Sequence, residues 1–156
     1  MASALGAFLA AVVGVPLAGA AVTPGLKRAE AEWVALGDLT SFPIGEPKIV
    51  SFTSQQVDGY LRTVVSRTVW VLRRSVSDAV VFNSRCTHLG CLYSYQGAIK
   101  RFVCPCHGGV FAITDGAVVD GPPPRALDSL EQRIENGALL VNYHDFLVGT
   151  PEKKAL

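Results

Sequence analysis

Apolar residues follow two different patterns along this chain. From Ala2 to Val22 no side chain carries a charge, and as a helix this stretch would rise about 31 Å, enough to cross the hydrocarbon core of a bilayer. Beyond Trp33 the apolar residues form short β-branched and aromatic runs that are separated by turn residues. The two patterns predict a transmembrane helix over 2–22 and a mostly β head over 33–156, built as a small sandwich or barrel.

The apolar N-terminal stretch also has an interpretation as a cleaved signal peptide, because small residues stand near its end. Two features favour a retained span instead: the apolar run is longer than the core of a usual signal peptide, and no basic segment comes before it. Small residues also recur at every fourth position, which gives the helix a face that a second helix can approach closely in a membrane. These are Gly6, Ala10, Gly14 and Ala18.

Residues 23–32 separate the apolar stretch from the head. They begin with the helix breakers Pro24 and Gly25 and continue as a charged segment rich in alanine and glutamate. We expect this segment to be a hinge or tether. Within the head, the sequences TDGA (114–117) and ENGA (135–138) are typical of tight turns and predict two β-hairpins.

Composition excludes one large class of partner. The formal net charge is +1, and the charged residues are scattered in small groups along the chain. A nucleic-acid-binding domain would need its basic residues clustered on one face. We therefore expect no nucleic-acid partner.

Candidate chemistry is concentrated in two short segments. CTHLGC (86–91) and CPCH (104–107) hold all four cysteines of the chain and two of its three histidines. Two disulfides would leave both histidines unexplained, and zinc fingers usually space their ligands differently. Each segment supplies a mixed cysteine and histidine pair, which suits a two-iron cluster with thiolates on one iron and imidazoles on the other. The pattern favours such a cluster, with zinc and disulfides as the alternatives.

The two segments resemble the cluster-binding boxes of Rieske iron–sulfur proteins, and the later run GPPPRAL (121–127) resembles the proline-rich loop that covers the cluster in that family. The resemblance extends over most of the chain and is greatest to the Rieske subunits of cytochrome bc-type quinol oxidase complexes. It implies a Rieske-type β-sandwich head that binds one [2Fe–2S] cluster. By resemblance the ligands are Cys86, His88, Cys104 and His107, a disulfide joins Cys91 to Cys106, and the cover comprises Leu89, Gly121, Pro122, Pro123 and Pro124.

The resemblance also implies a function and partners. A subunit of this kind accepts an electron from quinol, through a contact and a coupled proton transfer at His107 with His88 beside it, and passes the electron to a c-type haem. The expected partners are a cytochrome b-type subunit, a c-type cytochrome and the membrane, within a dimeric complex. The expected location is the inner membrane of a bacterium, crossed once, with the head on the periplasmic or outer face, where a disulfide persists.

Two positions after the second box depart from the family's pattern. Many relatives have a serine and a tyrosine there, whose hydroxyls hydrogen-bond to cluster sulfurs, whereas this chain has Gly109 and Phe111. Hydrogen bonds to sulfur stabilise the more negative reduced cluster, so their absence lowers the reduction potential. We expect a low-potential centre suited to menaquinol, and we expect Gly109→Ser or Phe111→Tyr to raise the potential.

Two other functions fit parts of the sequence. One is the small Rieske subunit of an arsenite oxidase-type molybdenum enzyme, which shares the disulfide and the exported head. The other is a zinc-stapled binding module without redox activity. Copurified b- and c-type haems would favour the quinol-oxidising complex, molybdenum would favour the second function, and a colourless zinc protein would favour the third.

Overall fold

The computed structural model describes residues 10–14, 33–58 and 61–156. The transmembrane span predicted over 2–22 and the hinge predicted over 23–32 lie outside the described residues, apart from one π-helical turn at Ala10–Gly14. Within the described ranges, no helix is long and apolar enough to cross a membrane. The membrane-spanning helix stays a prediction.

The head is almost entirely β, as the short apolar runs predict. In the part of the chain that the structure describes, ten strands form three sheets. The strands are β1 (Trp33–Asp38), β2 (Lys48–Asp58), β3 (Leu61–Arg73), β4 (Ala79–Asn83), β5 (Ser94–Gln96), β6 (Arg101–Cys104), β7 (Gly109–Ala112), β8 (Val118–Asp120), β9 (Glu131–Glu135) and β10 (Ala138–Asn142). The sheet orders are β1-β10-β9, β2-β3-β4 and β5-β6-β7-β8.

Both hairpins predicted from turn composition are confirmed. Strands β9 and β10 pair antiparallel across Asn136 and Gly137, whose φ angles are 50° and 84°. Two consecutive positive φ angles match the twist of a tight hairpin. Strands β7 and β8 also pair antiparallel, and the turn between them is closed by the carboxylate of Asp115, which accepts the N–H of Ala117 at 3.0 Å.

The C-terminal end of β3 (69–73) and all of β4 are buried on both faces and divide the head into two apolar cores. Val69 and Val71 belong to one core, whereas Trp70 and Leu72 belong to the other, because successive side chains of a strand point to opposite faces. The core on the Trp70 side also contains Cys86, Cys104 and the fully buried rings of β6 and β7. The two cysteine-bearing segments are thus attached to this core of buried aromatic rings, which we call the aromatic base.

Candidate metal centre

The two cysteine–histidine segments fold into the same turn twice. In each turn the N–H of a glycine donates to the carbonyl of the first cysteine, from Gly90 to Cys86 at 2.9 Å and from Gly108 to Cys104 at 3.1 Å. Both glycines have positive φ angles, 79° and 71°, which side chains disfavour. We name residues 86–91 the first turn and residues 104–109, between β6 and β7, the second turn.

The two turns bring their histidines together. The ring centroids of His88 and His107 are 4.7 Å apart, and the ring planes are inclined at 89°. His107 is exposed and His88 is half-buried. The Nδ1 atom of His88 is buried and has no hydrogen-bond partner among the described residues. A buried polar atom without a partner costs free energy, and a metal ion bound to that nitrogen would remove the cost.

Cys86 and Cys104 are free, and both are buried. Burial raises the pKa of the Cys86 thiol to about 11; the backbone N–H of His88 opposes the rise, and the adjacent Cys104 thiol adds to it. Two thiols in contact in an apolar core need a positive charge nearby before both can ionise. A metal ion supplies that charge, so the pair is suited to metal binding.

The other two cysteines form a disulfide between the turns. Cys91 is bonded to Cys106 across a sequence separation of 15 residues, which confirms the pairing that the family resemblance implies. The sulfur atoms of Cys91, Cys104 and Cys106 lie within 4.8 Å of one another. Because two of these sulfurs are bonded to each other, this triad is not a set of metal ligands. The disulfide instead fastens the first turn to the second.

The proline-rich segment 121–124 lies against the second turn; that it covers a cluster stays a prediction. A Cβ atom on Gly121 would lie 2.7 Å from the carbonyl oxygen of Gly108 and 2.8 Å from the Cα of Gly109. Pro123 is buried, whereas the prolines on either side of it are exposed. The segment therefore contacts the second turn through its backbone and through one proline ring.

Two exposed leucines lie close to His88 in the sequence. Leu89 and Leu92 are 60% and 62% exposed, and both belong to the same stretch of chain as His88. Exposure of neighbouring apolar side chains to water is unfavourable, and it often marks a contact surface. The exposure of Leu89 is compatible with the contact role that the resemblance implies, which stays a prediction.

The two positions that depart from the family's pattern have different surroundings. Phe111 is fully buried, with its ring centroid 6.1 Å from that of Tyr93. Gly109 is also buried, and a Cβ atom added to it would lie 2.8 Å from Cγ of Pro123. A serine at this position thus requires Pro123 to move. Gly109→Ser would therefore change the reduction potential through the movement of Pro123 as well as through the added hydroxyl.

Sequence reasoning missed a set of polar residues that brace the site. The hydroxyl of Thr87, fully buried in the first turn, donates to the carbonyl of Arg125 at 2.8 Å, and the N–H of Gly149 donates to the carbonyl of Thr87 at 2.9 Å. Asp128 accepts two hydrogen bonds from the Arg125 guanidinium, at 3.1 and 2.8 Å. A threonine inside a cysteine box and an arginine after three prolines both look like loop residues in the sequence. The feature of the sequence that could have identified them is their position, Thr87 within CTHLGC and Arg125 within GPPPRAL.

Tyr93 is a second residue that the sequence did not single out. Burial raises the pKa of Tyr93 well above its ordinary range, and the nearby Cys86 and Asp128 raise it further. Its neutral hydroxyl donates to the carbonyl of Asn83 at 2.8 Å. Tyr93 therefore ties the aromatic base to the end of β4, from which the first turn begins.

The donor set fits a metal group with two sulfur and two nitrogen ligands. Two turns that a disulfide joins supply two free thiols buried in one core and two adjacent imidazoles, one of which has an unpartnered buried nitrogen. Such a set suits tetrahedral zinc as well as an iron–sulfur cluster. The geometry alone does not separate the two groups.

Comparison with known proteins separates them. Residues 32–131 match the family model described as the Rieske [2Fe-2S] domain. The chain is 34% identical to the menaquinol:cytochrome c reductase iron-sulfur subunit of Bacillus subtilis over 86% of this chain and 82% of that protein. It is 31% identical to the subunit of the same name from Geobacillus thermodenitrificans, with the same coverage of 86% and 82%. It is also 28% identical to the cytochrome b6-f complex iron-sulfur subunit of Chlorobaculum thiosulfatiphilum, over 88% of this chain and 68% of that protein.

Proposed function

Since the chain belongs to the Rieske [2Fe-2S] protein family, we propose that it takes an electron from menaquinol and passes it to a c-type haem within a bc-type complex. It binds one Rieske [2Fe–2S] cluster and is a component of an oxidoreductase, like its relatives. In this proposal the chain is not catalytic alone, because a cytochrome b-type subunit completes the quinol pocket. Residues 2–22 anchor it in the inner membrane of a bacterium, and residues 23–32 tether the head on the outer face of a dimeric complex.

The ligands in this proposal are the thiolates of Cys86 and Cys104 on one iron and the imidazoles of His88 and His107 on the other. The observation that carries the proposal is that the two histidine ring centroids lie 4.7 Å apart, while the thiols of the same two turns are both buried in one core. The unpartnered Nδ1 of His88 supports a bond from that nitrogen to iron. The cluster, when bound, supplies a one-electron acceptor whose potential its imidazole ligands raise.

His107 is the quinol-contacting residue in this proposal, because its ring is exposed whereas that of His88 is half-buried. One ring nitrogen of His107 would hold the metal group, and the other would be free to accept the proton of a quinol hydroxyl. The exposed side chains of Leu89 and Leu92 supply an apolar rim that excludes water from such a contact.

Menaquinol is supported by two independent observations. The relatives from Bacillus subtilis and Geobacillus thermodenitrificans carry menaquinol in their names. Gly109 and Phe111 provide no side-chain hydroxyl near the sulfurs, which favours a low potential. An acceptor of low potential is matched to a quinol of low potential, because a small difference in reduction potential between the two still permits electron transfer.

The proposal is tested by purifying the full chain with its native partners in mild detergent. We expect b- and c-type haems to copurify, and we expect menaquinol to reduce the c-type haem on rapid mixing. His107→Leu should abolish this reduction, whereas His144→Leu, the matched histidine outside both turns, should leave it unchanged. A preparation that contains molybdenum and no haem, or one in which His107→Leu reduces haem at the wild-type rate, would refute the proposal.

A further inference from the structure

Two adjacent glycines in the second turn are needed for different physical reasons. Gly108 has a φ of +71°, and a Cβ atom there would meet nothing within 4 Å, so glycine serves the backbone conformation alone. Gly109 has no such positive φ. A Cβ atom on Gly109 would instead lie 2.8 Å from Cγ and 3.3 Å from Cδ of Pro123. Gly109 is therefore needed for space.

Strand pairing places Pro123 in that space. Val110 of β7 is paired with Asp120 of β8, so the chain that leaves β8 passes directly beside the second turn. The carboxylate of Asp120 accepts the N–H of Gly121 at 2.7 Å, and the backbone of Gly121 lies in contact with that of Gly108. These contacts fix one end of the proline-rich segment, and the ring of Pro123 then fills the volume above Gly109.

The other end of the segment is held by the first turn. The buried hydroxyl of Thr87 donates to the carbonyl of Arg125 at 2.8 Å. The guanidinium of Arg125 donates to Asp128 and to the carbonyl of Leu147, both at 2.8 Å. Residues 121–125 thus connect the two turns, and the ring of Pro123 is the part of this connection that presses on the second turn.

From these contacts we propose that Gly109 and Pro123 are a size-matched positioning pair, which sets how closely the segment 121–124 covers the second turn and how far water reaches the metal centre. The inference rests on the proposed function only in treating the two turns as cluster-binding. A side chain at 109 forces the proline ring outward, because a well-packed site does not absorb an added methyl group without movement. Replacing Pro123 by alanine vacates the positions of Cγ and Cδ and makes room for that methyl group.

Hydrogen–deuterium exchange on the full cluster-loaded chain tests the pair, with Gly109→Ala, Pro123→Ala and the double variant. We expect Gly109→Ala to speed amide exchange over 104–109 and 121–125 about tenfold, which equals about 1.4 kcal/mol, and to shift the reduction potential. In the double variant both quantities should return to the values of Pro123→Ala. Pro43→Ala, which changes an exposed proline outside both turns and outside the segment 121–125, should behave as the wild type.

Any of three results would overturn the proposed pair. The first is that Gly109→Ala exchanges its amides at the wild-type rate, and the second is that the exchange rate of the double variant is no closer to that of Pro123→Ala than the rate of Gly109→Ala is. The third result is that neither Gly109→Ala nor the double variant folds. If Gly109→Ala fails to fold and the double variant folds, the size match is supported. Exchange does not require quinol, so a chain that shows the pair coupling but no menaquinol oxidation refutes the proposed function alone.

Discussion

Removing the guanidinium of Arg125 should destabilise the head strongly, because Arg125 belongs to a buried ion pair. Arg125 donates to both carboxylate oxygens of Asp128, at 3.1 and 2.8 Å, and to the carbonyls of Thr150 and Leu147, at 2.5 and 2.8 Å. The side chains of Arg125 and Asp128 are only 9% and 4% exposed. Arg125→Met keeps the length of the side chain and leaves Asp128 as a buried carboxylate without its cation.

The expected cost is about 3–5 kcal/mol, because one partner of a buried ion pair is removed. The two carbonyls add little, since Leu147 lies at the exposed edge where water can replace the donor. Arg74→Met is the matched control: Arg74 lies 3.7 Å from Asp78, and the two side chains are 45% and 55% exposed. Removing this exposed pair should cost below about 0.5 kcal/mol.

Urea unfolding of the full cluster-loaded chain measures both costs, followed by the fluorescence of the buried Trp70; urea is preferred because guanidinium would screen the charges. Arg125→Met combined with Asp128→Leu should be more stable than Arg125→Met alone, because no charge is then left buried. The reasoning fails if Arg125→Met lies within about 1 kcal/mol of the wild type, or if Arg74→Met costs as much.

Three further predictions follow from single side chains. Phe111→Tyr should raise the reduction potential in a redox titration, because it adds a hydroxyl in the core that contains Cys86 and Cys104; an unchanged potential would contradict the tuning argument. Cys91→Ala with Cys106→Ala should cost about 3 kcal/mol, the value for a loop of about 15 residues, and should speed cluster loss to a chelator; equal rates would mean that the disulfide does not hold the turns. Burial raises the pKa of Tyr143, with Asp145 adding to the rise, so the folded state keeps this proton to higher pH than the unfolded chain, whose tyrosine pKa is about 10. Stability should therefore fall as the pH rises above 10, and Tyr143→Phe should lessen the fall; an equally steep decline in the variant would contradict the assignment.

The β architecture of the head was predictable because its local signals agree. Burial of β3 and β4 between two cores produces the continuous apolar run around Trp70, and the Asn136–Gly137 turn requires residues that tolerate positive φ. Such signals depend on neighbours in the sequence, so they are readable without the fold. The pairing of the two cysteine–histidine turns was predictable for a different reason, since the spacing of residues within the two boxes is itself the motif.

The bracing of the site was not predictable, because it depends on contacts between residues far apart in the sequence. Nothing near Thr87 indicates that its hydroxyl is bonded to the carbonyl of Arg125, 38 residues later. In the same way, the sequence shows only that Gly109 lacks the hydroxyl of a serine. The structure adds that Pro123 fills the space that a side chain at position 109 would need. The effect of a substitution at 109 thus depends on a residue that the second box does not contain.

The most direct test of the central claim is an EPR-monitored redox titration of the complete membrane-bound protein at several pH values. If Cys86, Cys104, His88 and His107 hold a [2Fe–2S] cluster, the reduced protein gives the signal of a mixed thiolate and imidazole cluster. Its potential then lies low in the Rieske range and decreases as the pH rises, because the outer nitrogens of the histidines take up protons on reduction. A colourless protein that contains zinc, or a cluster whose potential is independent of pH, would contradict the account.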